Sequence, residues 1–180
     1  MDIRDKNVLV FGSGISGIAA SRLLLREGAD VILYDGNEKL DAETIKENIL
    51  HDEEHGVTLS GDVKVILGEL SKEVMESLVL TVMSEMGIPI WGEIELAYVY
   101  GKGEVLAITG TNGKTTTTTL LGEIMKKYQE HVYVVGNIGN PYTEVALDMT
   151  EDSVAVAEMS RFQLETIHTF RPKVSAILNI

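Results

Sequence analysis

The sequence predicts an α/β fold built mostly on parallel strands. Two observations carry that prediction. Twice a short apolar run opens into a glycine-rich turn followed by a helical segment, at Val8–Leu25 and again at Val105–Lys127. Short apolar strands then alternate with helices along the rest of the chain, the pattern of βαβ units. At 180 residues, 44% hydrophobic and 24% charged, the chain can bury a sizeable core in one or two small domains.

Val8–Phe11 is the first predicted strand. It runs into Gly12-Ser-Gly-Ile-Ser-Gly17 and a helix that offers Ile18, Leu23, Leu24 and Leu25 to a sheet. The next strand, Val31–Tyr34, ends at Asp35. This is the spacing G-x-G-x-x-G with an acidic residue closing the second strand. It supports two readings: a tight strand-to-helix turn, or a nucleotide-type ligand over the helix N-terminus with Asp35 accepting from a hydroxyl or ring N–H. Lys39–His55 reads as an exposed acidic helix. Its end, His51-Asp-Glu-Glu-His55, fits the spacing H-x-x-E-H, but nothing else supports a protease. It is read as a solvated charged face instead of a metal site.

Val63–Leu67 reads as a strand, Ser71–Glu76 as a helical turn, and Leu78–Met83 as another strand. Ile88–Trp91 is an extended run and Ile94–Tyr100 a short helix. Gly101-Lys-Gly103 marks a linker. Strands are further predicted at Val132–Val135, Val154–Ala157 and Val174–Leu178, with the loop Gly136–Pro141 and a short helix after the first of them.

The centre of the chain is Val105–Thr119. An apolar strand meets Gly110-Thr-Asn-Gly113, then Lys114, Thr115 and a helix. Such a turn lets main-chain N–H groups converge on phosphate, and the helix N-terminus adds its positive end. Lys114 can reach terminal phosphates and the Thr115 hydroxyl can ligate Mg²⁺. The general spacing G-x-x-x-x-G-K-[ST] is not met, because Ile108 stands at its first position. Glu158 closes the Val154–Ala157 strand. In a parallel sheet that places it on the rim where Thr115 lies, as a metal ligand or as a surface carboxylate. Asn137, between two glycines, reads from position alone as a turn residue. His131 and His168 have no partner at catalytic spacing.

The net charge of −13 argues against nonspecific nucleic-acid binding, which needs basic patches. The absence of cysteine excludes disulfides, thiolate metal sites and a thiol nucleophile. The first residues do not form an apolar signal core, and no apolar run approaches membrane-spanning length. A cytoplasmic location and no membrane insertion are the expectations.

Thr109-Gly-Thr-Asn-Gly-Lys-Thr115 resembles, residue for residue, the T-G-T-N-G-K-T loop of the Mur ligase family, including its missing first glycine. Gly12–Leu25, Gly92-Glu-Ile-Glu-Leu-Ala-Tyr98, Gly136-Asn-Ile-Gly-Asn-Pro141 and Glu158-Met-Ser-Arg-Phe-Gln-Leu-Glu165 follow in the family's order. The resemblance covers essentially the whole chain. It implies a Rossmann-like UDP-sugar-binding domain over 1–93 and the N-terminal part of a P-loop, ATP-binding central domain over 94–180. A C-terminal amino-acid-binding domain is expected to lie outside the chain.

The implied activity is ATP-dependent amide formation in peptidoglycan synthesis, through an acyl phosphate. The implied cofactors are ATP and Mg²⁺. UDP-N-acetylmuramoyl-L-alanine and D-glutamate are the implied small-molecule substrates. Carried over by motif, Ile15, Ser16 and Asp35 contact the UDP moiety. Gly110, Thr111, Asn112, Gly113, Lys114, Thr115 and Thr116 hold ATP. Lys114 and Glu158 serve catalysis, Thr115 and Glu158 hold the metal, and Asn137, Ser160 and Gln163 line the substrate side.

Three departures from the family pattern stand out. The Ser-Pro-Gly loop and following helix expected between Thr81-Val82 and Met86-Gly-Ile-Pro89 are absent. Arg161 replaces a second serine. The chain stops at Ile180, before the family's Asp-His segment and carbamylated lysine, so this chain alone is expected not to complete the reaction. The competing expectation is an NAD-type oxidoreductase or simple nucleotide-binding module using the Gly12–Gly17 loop.

Overall fold

A computed structural model describes residues 2–52, 55–68, 77, 81–83 and 85–179. The chain divides into two units, 1–90 and 91–180. Both are α/β, and every pairing in their two main sheets is parallel.

In the first unit, β1 (Asn7–Phe11), β2 (Asp30–Asp35) and β5 (Val63–Leu67) form a sheet in the order β1-β2-β5. Val31 pairs with Val8 on one side and Val63 on the other. The central strand is the most buried, with Val31 and Leu33 fully enclosed. Helix α1 (Ile15–Arg26) covers the sheet with Ala19, Ala20, Leu23, Leu24 and Leu25, the three- and four-residue spacing of one helical face. The two strand ends are predicted within a residue or two.

The reading of Lys39–His55 as one exposed helix is corrected. Helix α2 covers only Ala42–Leu50. The Asp41 side chain caps it by accepting from the Thr44 N–H at 3.1 Å. Ile45 and Ile49, one turn apart, are buried against the unit. The chain then leaves the helix as β3 (His51–Asp52), antiparallel to β4 (Val57–Thr58). Asp52 is no solvated face. It is buried and accepts from the Arg26 guanidinium, with Arg22 at 3.6 Å and His55 Nδ1 at 2.9 Å. A buried carboxylate is tolerated only when paired in this way. Burial raises its pKa, but the His55 hydrogen bond and the Arg22 charge outweigh that and hold it below the usual carboxylate value.

The strand expected at Leu78–Met83 is also corrected in its described part. Residues 81–83 are helical, with the Thr81 hydroxyl donating to the Ser77 carbonyl at 2.7 Å and Met86 N–H to Val82 O at 3.0 Å. A short apolar run is compatible with strand or buried helix, and here local i−4 bonding decides it. The turn expected at Ser71–Glu76 lies outside the described residues. Residues 88–91 join no strand ladder among the described residues.

The second unit contains α3 (Glu93–Tyr100), β6 (Glu104–Thr109), α4 (Lys114–Met125), β7 (Val132–Gly136), α5 (Tyr142–Val145), β8 (Val154–Glu158), α6 (Arg161–Leu164) and β9 (Val174–Ile177). Its sheet runs β7-β8-β6-β9. Strand β8 is buried at all five positions, as its unbroken Val-Ala-Val-Ala run requires of a strand covered on both faces. At the C-terminal rim Ile108, Glu158 and Gly136 lie side by side in register.

Two carboxylates of α3 fasten this unit. Glu95, fully buried, accepts from the N–H groups of His168, Thr169 and Phe170 at 2.9, 2.7 and 3.1 Å, and from the Thr169 hydroxyl at 2.6 Å. Burial raises its pKa, yet these bonds to the ionised form prevail and the net shift is downward. Glu93 accepts from Thr143 N–H at 2.7 Å and its hydroxyl at 3.0 Å. There burial prevails, and the carboxyl is raised. No helix among the described residues is long and apolar enough to cross a membrane.

Candidate functional site

The glycine loop of the second unit is shaped by its backbone. Gly110 and Gly113 both adopt positive φ, 139° and 80°. Gly113 is the N-cap of α4 and has no side chain to cap it. The helical ladder begins with Thr117 N–H bonding Gly113 O at 3.0 Å. The N–H groups of Lys114, Thr115 and Thr116 therefore precede the ladder and are available to an anion. The Lys114 ammonium lies across the loop, donating to Gly110 O at 2.8 Å and Thr111 O at 3.4 Å. Its charge is thus held at the loop by two main-chain carbonyls.

Glu158 sits on the strand beside the loop strand and is 1% exposed. Its Oε1 accepts from Asn137 Nδ2 at 3.0 Å, while Oε2 is buried with no hydrogen-bond partner among the described residues. A buried carboxylate oxygen left without a donor suits a divalent cation, which would replace the missing hydrogen bond. Asn137 reaches Glu158 because Gly136, at φ 101°, lets the backbone pass close to β8. A side chain at Gly136 would collide with the Glu158 carbonyl. Asn137 N–H also donates to that carbonyl at 2.9 Å. The structure therefore brings Asn137 and Glu158 together, although position alone favoured a turn role for Asn137.

Ser160 and Gln163 are also paired, but with each other. Ser160 caps α6, accepting from Gln163 N–H at 3.3 Å, and Gln163 Oε1 accepts from Ser160 N–H at 2.9 Å. Arg161 extends into solvent toward Glu165 at 3.4 Å, and its side chain is 88% exposed.

In the first unit the glycine loop is equally specific. Gly12 has φ 89°, and a side chain at Gly17 would strike the Gly12 carbonyl, so the helix packs directly on the loop. Gly14 has nothing within reach of a Cβ, leaving that side open. Ile15 is 78% exposed at the helix start and Ser16 is exposed. Asp35 turns inward to the loop. Its Oδ2 accepts from Ser13 N–H at 2.8 Å and the Ser13 hydroxyl at 2.6 Å, and its Oδ1 from Asn37 N–H at 2.9 Å. The sequence reading missed Ser13, for which only its place inside the glycine spacing was a signal. It also missed Asn179, whose amide holds the phosphate-type loop.

Two parallel-sheet units, each with a glycine loop between strand and helix, define the class as a mostly parallel α/β protein. Residues 108–180 match the family described as the Mur ligase middle domain. Over its entire length the chain is 52% identical to a protein of Lachnospira eligens named "UDP-N-acetylmuramoylalanine--D-glutamate ligase". It is likewise 52% identical to the protein of that name from Lachnoclostridium phytofermentans, and 41% identical to that from Caldanaerobacter subterraneus. Residues 108–180 thus carry a Mur ligase middle domain, and the whole chain is similar to ligases of that family. It spans 41% of the length of these three relatives. A solved short chain dehydrogenase from Mycobacterium smegmatis covers 90% of the chain, and the chain 80% of it, at 18% identity and a TM-score of 0.30. So low a likeness transfers neither fold nor chemistry.

Proposed function

We propose that this chain is the nucleotide-handling part of an ATP-dependent ligase that joins D-glutamate to UDP-N-acetylmuramoyl-L-alanine in peptidoglycan synthesis. The observation that carries the reading is the second unit's rim. There a glycine loop and helix start, crossed by Lys114, stand beside a buried carboxylate with an unpartnered oxygen. The whole-chain likeness to relatives with that printed name supplies the substrates.

In this reading residues 1–93 bind the UDP-sugar through Ile15, Ser16 and Asp35, and residues 94–180 bind ATP. The N–H groups of Gly113 to Thr116 orient the phosphates. Lys114 neutralises charge that grows on the transferring phosphoryl oxygens. Thr115 and Glu158 would hold Mg²⁺, which supplies further charge neutralisation at those oxygens when bound. Asn137 fixes the Glu158 carboxylate, and Ser160 and Gln163 shape the adjoining substrate wall through their mutual cap. ATP activates the alanyl carboxylate for attack by the amine of D-glutamate. The work is cytoplasmic, where ATP and UDP-sugars are available.

The test is calorimetric titration of Mg·ATP. Lys114→Ala is expected to weaken binding by about 1.5–3 kcal/mol, the scale of charge-assisted hydrogen bonds. Equal affinity in folded parent and variant would refute the assignment.

A further inference from the structure

We infer that Asn179 is a positioning residue for the phosphate-type loop, holding Thr111 and Asn112 in the shape that nucleotide requires. This rests on the nucleotide reading above and adds a residue that no motif marks. Strand β9 pairs in parallel with β6, with Thr109 opposite Ile177. The chain beyond Ile177 therefore leaves the sheet at the same rim, and beside the same turn, as the chain beyond Thr109. Leu178 N–H extends the pairing to Thr109 O at 3.0 Å.

Asn179 then grips the loop on three sides. Its Oδ1 accepts from Thr111 N–H and Asn112 N–H, both at 2.8 Å. Its Nδ2 donates to Asn112 O at 3.0 Å, and its own carbonyl accepts from Thr111 N–H at 3.3 Å. Gly110 permits the approach, since a side chain there would crowd the Asn179 backbone at 3.1–3.2 Å.

The chemistry explains why an amide stands there. Oδ1 accepts twice while a separate atom, Nδ2, donates; a carboxylate lacks the donor, an aliphatic side chain lacks both, and a hydroxyl has one atom where the amide spans two. With Thr111 and Asn112 satisfied from behind, Gly113 is held in its left-handed conformation, and the N–H groups of Lys114, Thr115 and Thr116 face the ligand side together. Ordering the loop beforehand removes an entropy cost that nucleotide would otherwise meet on binding.

The experiment has two readouts on the full chain, with Asn179→Ala and Asn179→Asp. The first is amide hydrogen exchange without nucleotide. Asn179→Ala should speed exchange at Thr111 and Asn112 while β6 and β8 stay protected. Asn179→Asp, which still accepts twice, should keep most of the protection. The second is Mg·ATP titration, where Asn179→Ala should raise Kd about 3- to 10-fold, the worth of one or two net hydrogen bonds. Unchanged exchange at Thr111 and Asn112 overturns the inference, as does faster exchange spread evenly over β6 and β8 in both variants. A parent that binds Mg·ATP, with Asn179→Ala binding as tightly, overturns this inference alone. A parent that binds no Mg·ATP overturns the nucleotide reading together with the inference.

Discussion

At the scale of single residues, the site divides into groups that announce themselves locally and groups that do not. Lys114 and Thr115 are legible because they follow the glycine turn directly in sequence, and they open α4 in the structure. Glu158 is legible because it ends an apolar strand. Its burial and its partnerless Oε2 are tertiary facts and are not. Ser13 and Asn179 act on partners 22 and 67 or 68 residues away, so nothing near them in sequence marks the role. The family motif around Gly92 was visible, yet the duties of Glu93 and Glu95 as fasteners of Thr143 and of residues 168–170 appear only in the fold. One prediction belongs here. Glu158→Gln should reduce the enhancement of ATP binding by Mg²⁺ about tenfold, the low end of what altered metal surroundings cost. Comparing titrations with and without Mg²⁺ checks it, and an unaltered enhancement would remove Glu158 from the metal's surroundings.

Elements were legible wherever pattern and end signals agreed. The parallel strands of both sheets were read from short, mostly apolar runs, and β8, buried at all five positions, shows no alternation at all. The stretch after Lys39 was misread because its charges mask Ile45 and Ile49, the two residues that face inward. The pairing of Asp52 with arginines on α1 could not be seen from a run of acidic residues. The Glu95 fastening gives this scale its own prediction. Glu95→Gln would present an amide N–H₂ where backbone N–H groups now donate, leaving buried donors unmatched. A loss of about 2–3 kcal/mol in urea unfolding is expected. The sign with pH follows from the lowered folded-state pKa. The stabilisation is complete above the ordinary glutamate value and disappears as pH falls through the folded value. The parent should therefore lose more stability than Glu95→Gln over that acid range, and parallel pH profiles would contradict the assignment.

At the scale of the molecule, two parallel-sheet units each carry one glycine loop, and the proposed ligands divide between them. UDP should shift the NMR signals of Ile15, Ser16 and Asp35, and Mg·ATP those of Gly113 to Thr116. NADH shifting the first set where UDP-sugar does not would favour the oxidoreductase alternative. The strand order β7-β8-β6-β9 has a further consequence, in time. The loop-bearing strand is interior to its sheet, but it is synthesised before all three of its companions. At about 5–20 residues per second, a ribosome needs roughly 4–15 s to travel from Glu104 to Asn179. Through that interval the glycine turn exists as chain without its bracket. The cradle therefore takes shape only once β9 and Asn179 have followed β6 out of the ribosome.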